Sequence, residues 1–314
     1  YYGNQCITSA PPSTFTTQVW DTNFKGVWHL KEGTGVTAAD STSNANSAVP
    51  NSGNPTSSTG QIGKALTFAS TSRLVIAAAA SLDLTTYSNW TMSAWVKPTS
   101  YAGTNWALIY SYGTWRASLG LSQVVAGADG RIENWTNDTT GLQGNTATTL
   151  NAWNHVTITR TATTTSFYLN GSADGTGAST AVTLANQVSG IGNDPIGPET
   201  VEQFLGLIDE VRVSASDTSS GVRSACWIQT EYNNQKWPNK TDYPTDGFVT
   251  IGAEQGAVSP TAVFLSSFAA TGDGGDVVVS WSTAQEISNF GFNVYRSESV
   301  GGPFTRITDR IIPG

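Results

Sequence analysis

The side chains of this 314-residue chain that could do chemistry are 23 carboxylates, two histidines, two cysteines and a large stock of aromatics, with 11 Trp, 10 Tyr and 11 Phe. Cleaving a glycosidic bond needs two carboxylates facing it at a fixed separation, and the acids here are not spaced to supply them. Glu199 and Glu202 flank a Thr-Val pair in a Pro- and Gly-rich loop, while Asp209 and Glu210 are adjacent, so on a strand they point to opposite sides. His29 and His155 are the only histidines, which excludes a multi-histidine zinc site; His155, beside the strand Val156-Ile158, reads as structural. No Ser-His-Asp arrangement or Gly-x-Ser-x-Gly elbow is present, and GDGG (272–275) reads as a turn. The chain is expected not to be an enzyme.

Binding is better provided for. Aromatic faces stack on sugar rings while amides and carboxylates take the hydroxyls. The candidates are Trp135, in RIENWTND read as a polar loop, with Tyr110 and Trp115 in NWALIYSYGTWR, where Trp106 and Tyr112 also lie. Core packing is the alternative role for each. Asp209 shares a strand face with Leu207, Val211 and Val213, where a charge is costly unless paired or bound to a metal. Arg73 or Lys97 could pair with it. Cys6 and Cys226 allow one disulfide, which would close most of the first domain into a loop, worth about 4–5 kcal/mol in the chain-entropy picture. Two buried free thiols are the alternative.

The elements that must position these groups follow from composition and period. With 15 Lys and Arg against 23 Asp and Glu the net charge is −8, and only 12% of residues are charged, about half the usual share. No cluster of cations offers a surface to nucleic acid or an anionic membrane, and no apolar run is long enough for a membrane span. The N-terminal YYGNQCITS lacks the basic and apolar regions of a signal peptide. Abundant Thr and aromatics with Gly, Ser and Asn turns predict an all-β chain. In NWTMSAWVKP, Trp90, Met92, Ala94 and Val96 alternate with Thr91, Ser93, Trp95 and Lys97. Two further strands, Val156-Ile158 and Phe167-Leu169, end at the tight-turn pair Asn170-Gly171. In FLGLIDEVRVS, strict alternation puts Ile208, Glu210 and Arg212 opposite the Asp209 face. Residues 41–60 read as a long surface loop. One short helix is expected in SSGVRSACWIQTEYNNQ, capped by Ser219 or Ser220, with Cys226 on its inward face.

GKALTF (63–68) with NWTMSAWVKP, then WNHVTITR leading to FYLNG, then FLGLIDEVRVS, resemble in order and spacing the laminin G-like members of the concanavalin A-like jelly-roll superfamily. YYGN with WDTNFKGVWHLKEG is similar to the junction between a bacterial domain and the laminin G-like domain that follows it in large surface proteins. VVVSWSTAQEISNFGFNVYRSES resembles the first half of a fibronectin type III-like domain. The implied architecture is an antiparallel jelly-roll β-sandwich plus a partial immunoglobulin-like sandwich: residues 1–14 a terminal strand of a preceding domain, 15–252 the jelly roll, 253–260 a linker and 261–314 the partial domain. The resemblance implies an extracellular, cell-surface location and a Ca²⁺ held by Asp209 with Asp40, although NANSAVPN departs from the expected loop. A half sandwich leaves Val277, Val279, Trp281, Phe292 and Val294 without a facing sheet. With Tyr1 and Tyr2 at the other end, they are the expected assembly surface, for strand exchange with copies of the chain in a fibre or for the remainder of a larger surface protein. The expected function is structural or adhesive and non-catalytic; a lectin-like module with a polysaccharide partner is the alternative.

Overall fold

The Thr- and aromatic-rich stretches fold as strands, since both residue types fit a pleated, half-buried surface. The computed structural model describes residues 19–69, 71–101, 106–122, 130–137, 140–197, 202–236, 263–286 and 290–313. The chain divides into two compact units, 1–249 and 250–314. The first unit starts with β1 (Phe24–Trp28), β2 (Ala48–Ser52), β3 (Thr56–Thr59), β4 (Lys64–Phe68), β5 (Arg73–Ile76) and β6 (Asn89–Pro98). Next come β7 (Trp106–Tyr112), β8 (Ala117–Ser122), β9 (Arg131–Thr136), β10 (Thr140–Ala147) and β11 (Asn154–Arg160). It ends with β12 (Thr164–Leu169), β13 (Ser172–Ala178), β14 (Ser189–Ile191), β15 (Gly206–Ser216) and the helix α1 (Ala225–Lys236).

Two antiparallel sheets face each other as a jelly roll. One runs β13-β12-β11-β6-β15-β4-β3, with β1 also on β15; the other runs β10-β9-β8-β7-β14-β5-β2. The core between them holds Trp28, Phe68, Trp90, Met92, Tyr110, Tyr112, Leu121, Phe167 and Phe204. Trp28 of the first sheet stacks on Tyr110 of the second at 5.9 Å, and its indole N–H donates to the Asn46 carbonyl at 2.8 Å. The β12–β13 turn is Asn170-Gly171 with φ of 50° and 77°, the pair of positive angles that a tight hairpin needs. Residues 41–60 are not the expected loop, because β2 and β3 form there. Strands at sheet edges need only a backbone partner, and these two use Ala48–Ser52 on β5 and Thr56–Thr59 on β4.

β15 departs from strict alternation. Ile208, Val211, Val213 and Ala215 all enter the core, so one extra residue sits between the first two. The register on β6 shifts between Asp209 and Arg212, and Glu210 takes φ 53°: a β-bulge. The bulge puts Asp209 on the face away from the core without its expected apolar companions Val211 and Val213. Neither proposed cation pairs with Asp209 in the hydrogen bonds found: Arg73 bonds Asn51 and the Asp194 carbonyl, and Lys97 lies across from Leu207.

α1 covers that outer face through polar and aromatic contacts. Its start is capped by Ser224, whose hydroxyl accepts the Trp227 amide at 3.2 Å. Ser219 and Ser220 form a separate 3-10 turn instead. Ile228 and Gln235 are its buried side chains, whereas Cys226 is exposed and not on the inward face; its partner in the expected disulfide, Cys6, lies outside the described residues. The Arg212 guanidinium reaches Glu231 of α1 at 2.5 Å and Glu210 at 2.6 Å, and His29 Nδ1 lies 2.6 Å from Glu210. Burial works against the charge on Arg212, but Glu231 and Glu210 outweigh it and keep the guanidinium firmly protonated. Trp95 Nε1 donates to Gln235 Oε1 at 2.6 Å and its ring stacks on Tyr232. The buried His155 ring lies 5.1 Å from Trp95, and desolvation depresses its pKa to about 4, leaving it neutral.

In the second unit, β16 (Val263–Asp273) pairs with β17 (Asp276–Glu286), and β18 (Tyr295–Arg296) with β19 (Thr305–Arg306). Phe268, Val277, Val278 and Phe290 are exposed. Val279, Trp281, Phe292 and Val294 are half-buried, and the rings of Trp281 and Phe292 meet edge to face at 5.5 Å. Tyr1, Tyr2 and the linker 253–260 lie outside the described residues.

Two outcomes follow from the bulge. Arg212→Met leaves Glu210 and Glu231 buried without their cation, and urea unfolding is expected to show a loss of about 3–5 kcal/mol, reduced when both glutamates are also changed to Gln. Desolvation, aided by the Glu210 charge, raises the Asp209 carboxyl from 3.8 to about 7 against backbone amide bonds from Ile62, Gln61 and Glu210. The folded state thus keeps a proton that the unfolded chain releases, so this residue's contribution falls as pH rises from about 4 to 7, by up to about 1.4 kcal/mol per pH unit. Asp209→Asn should flatten that slope and raise stability above pH 7, as read from denaturation midpoints across the range; an unchanged slope would contradict the assignment.

Candidate tryptophan binding face

Along β7, β8 and β9 the inward positions include Ala107, Ile109, Ala117, Leu119, Leu121 and Ile132. The alternate positions form three rows on the outer face of the second sheet. Trp106 lies across from Ser122. Leu108 lies across from Gly120, Gly120 from Glu133, and Glu133 from Gln143. Trp135 lies across from Gly141, and its backbone N–H donates to Ser118 Oγ at 3.1 Å.

Gly120 leaves a gap in the middle row between Leu108 and Glu133, and the tryptophans close over it. Trp106 and Trp135 approach to 5.4 Å between ring centroids, and Trp115 reaches in from the β7–β8 turn to 4.1 Å from Trp106 and 5.4 Å from Trp135. All three contacts are edge to face, the arrangement that ring quadrupoles favour. Gly141 fits beneath Trp135 because a Cβ there would come 2.9 Å from the indole. Trp115 adopts φ 60°, rare for a bulky residue, with its ring fixed between the other two. It is buried, while Trp106 and Trp135 keep partly open faces and Gln143 is exposed. Gln143 Nε2 reaches Glu133 at 3.3 Å. Trp135 Nε1 and Ser122 Oγ are buried donors with no hydrogen-bond partner among the described residues.

Of the expected sugar-binding residues, the structure unites Trp135 and Trp115 and separates Tyr110 from them. A register shift between Leu108 and Tyr110 turns Tyr110 inward, where it is fully buried, stacked on Trp28 and bonded to Ser189 Oγ at 3.0 Å. RIENWT (131–136) is strand β9 rather than a loop. Alternation in Arg131, Glu133 and Trp135 against Ile132 and Asn134 was the available signal, and it places Glu133 on the same outer face as Trp135.

The expected calcium pair does not come together as a donor set. Asp40 Oδ1 accepts the Val27 and Thr42 amides, both at 2.9 Å, and its Oδ2 accepts the Thr42 hydroxyl and the Asn46 amide, both at 2.8 Å. Its lone pairs are therefore spent on fixing the 40–46 turn. Asp209 Oδ2 accepts the Ile62 amide instead. Among the described residues no group of three or more His, Cys, Asp or Glu converges, whereas Ca²⁺ takes six to eight oxygens. These residues do not fit that ion.

The sandwich is similar in fold to domain 4 of an extracellular arabinanase from Geobacillus stearothermophilus, solved with arabinotriose. Identity is 17% over 66% of this chain and 97% of that one, with a TM-score of 0.52. It is also similar to the binding domain of botulinum neurotoxin DC, solved with rat synaptotagmin II (11% identity, 90% of this chain and 69% of that one, TM-score 0.52). Trypanosoma rangeli sialidase matches at 14% identity, with 71% of this chain covering 34% of that one and a TM-score of 0.50. Such identities speak for fold alone. Comparison with curated proteins gave no match. Residues 69–221 match the laminin G-type family described as the concanavalin A-like lectin/glucanases superfamily. That matched segment lies within the jelly-roll sandwich.

Proposed function

We propose that the jelly roll is a carbohydrate-binding module of an extracellular protein, and that its ligand lies on the outer face of β7–β10. The observation that carries this reading is the tryptophan cluster, with two partly open indoles beside a carboxylate, an amide and two buried donors lacking partners. Indoles supply apolar stacking area, and the polar groups fix orientation through hydroxyls. The arabinotriose complex of the structurally similar arabinanase domain supports the class of ligand. The low charge of the chain, 12%, suits a partner that is itself rich in hydroxyls.

A second reading, self-assembly into a fibre, draws on the exposed Phe268, Val277 and Val278 of the β16–β17 pair. A two-stranded sheet with an apolar face is marginal in water, so a facing strand from another copy would stabilise it. The Cys6–Cys226 disulfide remains a proposal, and the exposed Cys226 thiol is accessible to it.

Affinity electrophoresis of the full chain in gels containing arabinan, xylan or mixed-linkage glucan tests the first reading. At least one polysaccharide should retard migration, and Trp135→Ala should weaken binding tenfold or more, while Trp227→Ala, an exposed tryptophan on α1, should leave it unchanged. Absence of retardation in every gel, or retardation indifferent to Trp135→Ala, refutes it.

A further inference from the structure

The angles within the cluster say more about the ligand than its presence does. Trp106 and Trp115 are inclined at 82°, Trp106 and Trp135 at 79°, and Trp115 and Trp135 at 76°. No two of these rings lie in one plane. A flat crystalline polysaccharide gains affinity by stacking successive sugars on coplanar aromatic faces, and here it could meet one indole at a time. The cluster forms a corner instead, with Trp135 as one wall lying over Gly141 and Trp106 as the other rising beside Ser122.

Around that corner the polar groups are those of a neutral binder. Glu133, nearly fully buried in the middle row, opposes an anionic sugar approaching the indoles, and Gln143 holds its carboxylate in place. Recognition of a uronate or sialate rests on bidentate cationic pairs. Arg131 is a cation on these rows, and it already has an interaction within the protein. Trp135 Nε1 can only donate and Ser122 Oγ can donate or accept, which matches the hydroxyl and ring oxygens of an uncharged sugar.

We infer, resting on the carbohydrate-binding reading above, that this face takes single, soluble, uncharged glycan chains, which can turn one sugar into the corner, and rejects both crystalline arrays and acidic polysaccharides.

The test compares three probes on the full chain and on Trp135→Ala: a soluble neutral polysaccharide such as arabinan or xylan, microcrystalline cellulose, and polygalacturonate. The first should bind, with at least a tenfold loss in Trp135→Ala, while the cellulose pellet and polygalacturonate should each retain at least tenfold less protein than the neutral chain. Binding to cellulose or polygalacturonate that Trp135→Ala abolishes overturns this inference and leaves the carbohydrate-binding reading standing. Failure to bind all three, or binding indifferent to Trp135→Ala, removes both.

Discussion

Strand β15 has to serve two different neighbours along one edge, and the rest of the sandwich depends on how it does so. Its first residues, Gly206 to Ile208, pair with β4, and Val211 to Ser214 pair with β1, while β6 follows it along the other edge. The bulge at Asp209 and Glu210 falls where the neighbour changes. An extra residue there bends the strand and resets its phase, so Ile208 and Val211 both reach the core. The same extra residue gathers Glu210 and Arg212 on the outer face, and Arg212 in turn holds Glu231 of α1. Helix attachment is thus a consequence of strand geometry, since few apolar contacts hold α1: its buried side chains are Ile228 and Gln235.

The opposite sheet applies related devices to its outer surface. Glycines at 120 and 141 leave room on the outer face, and indoles from two strands and a turn fill it. The cluster costs stability locally, since Trp115 holds a backbone angle unfavourable for a bulky residue and two donors go without partners.

Much of this was legible in the chain itself. Alternation identified β6 and its core residues Trp90, Met92, Ala94 and Val96, and Asn170-Gly171 marked the turn between β12 and β13, because both signals are local. Alternation failed wherever an extra residue entered a strand. The bulge in β15 reversed the expected faces, and the shift in β7 sent Tyr110 inward, since a bulge is set by the partner strand's register and leaves no mark in composition. β2 and β3 were invisible for another reason: edge strands are held by backbone pairing, which polar sequences such as TSST supply as well as apolar ones. α1 was foreseen, but not its cap or inward residues, because it docks through Arg212 and Trp95 rather than through an apolar stripe.

What the sequence by itself determined is the all-β jelly roll, its family likeness and its poverty of charge. These rest on residue type and spacing, which act over a few residues. Only the tertiary structure decided which tryptophans meet, that Asp40 is occupied by amides rather than suited to calcium, and that Glu133 shares the outer face with Trp106 and Trp135. Each of these depends on which segments lie side by side, and strand register across two sheets is a long-range property that no local pattern encodes.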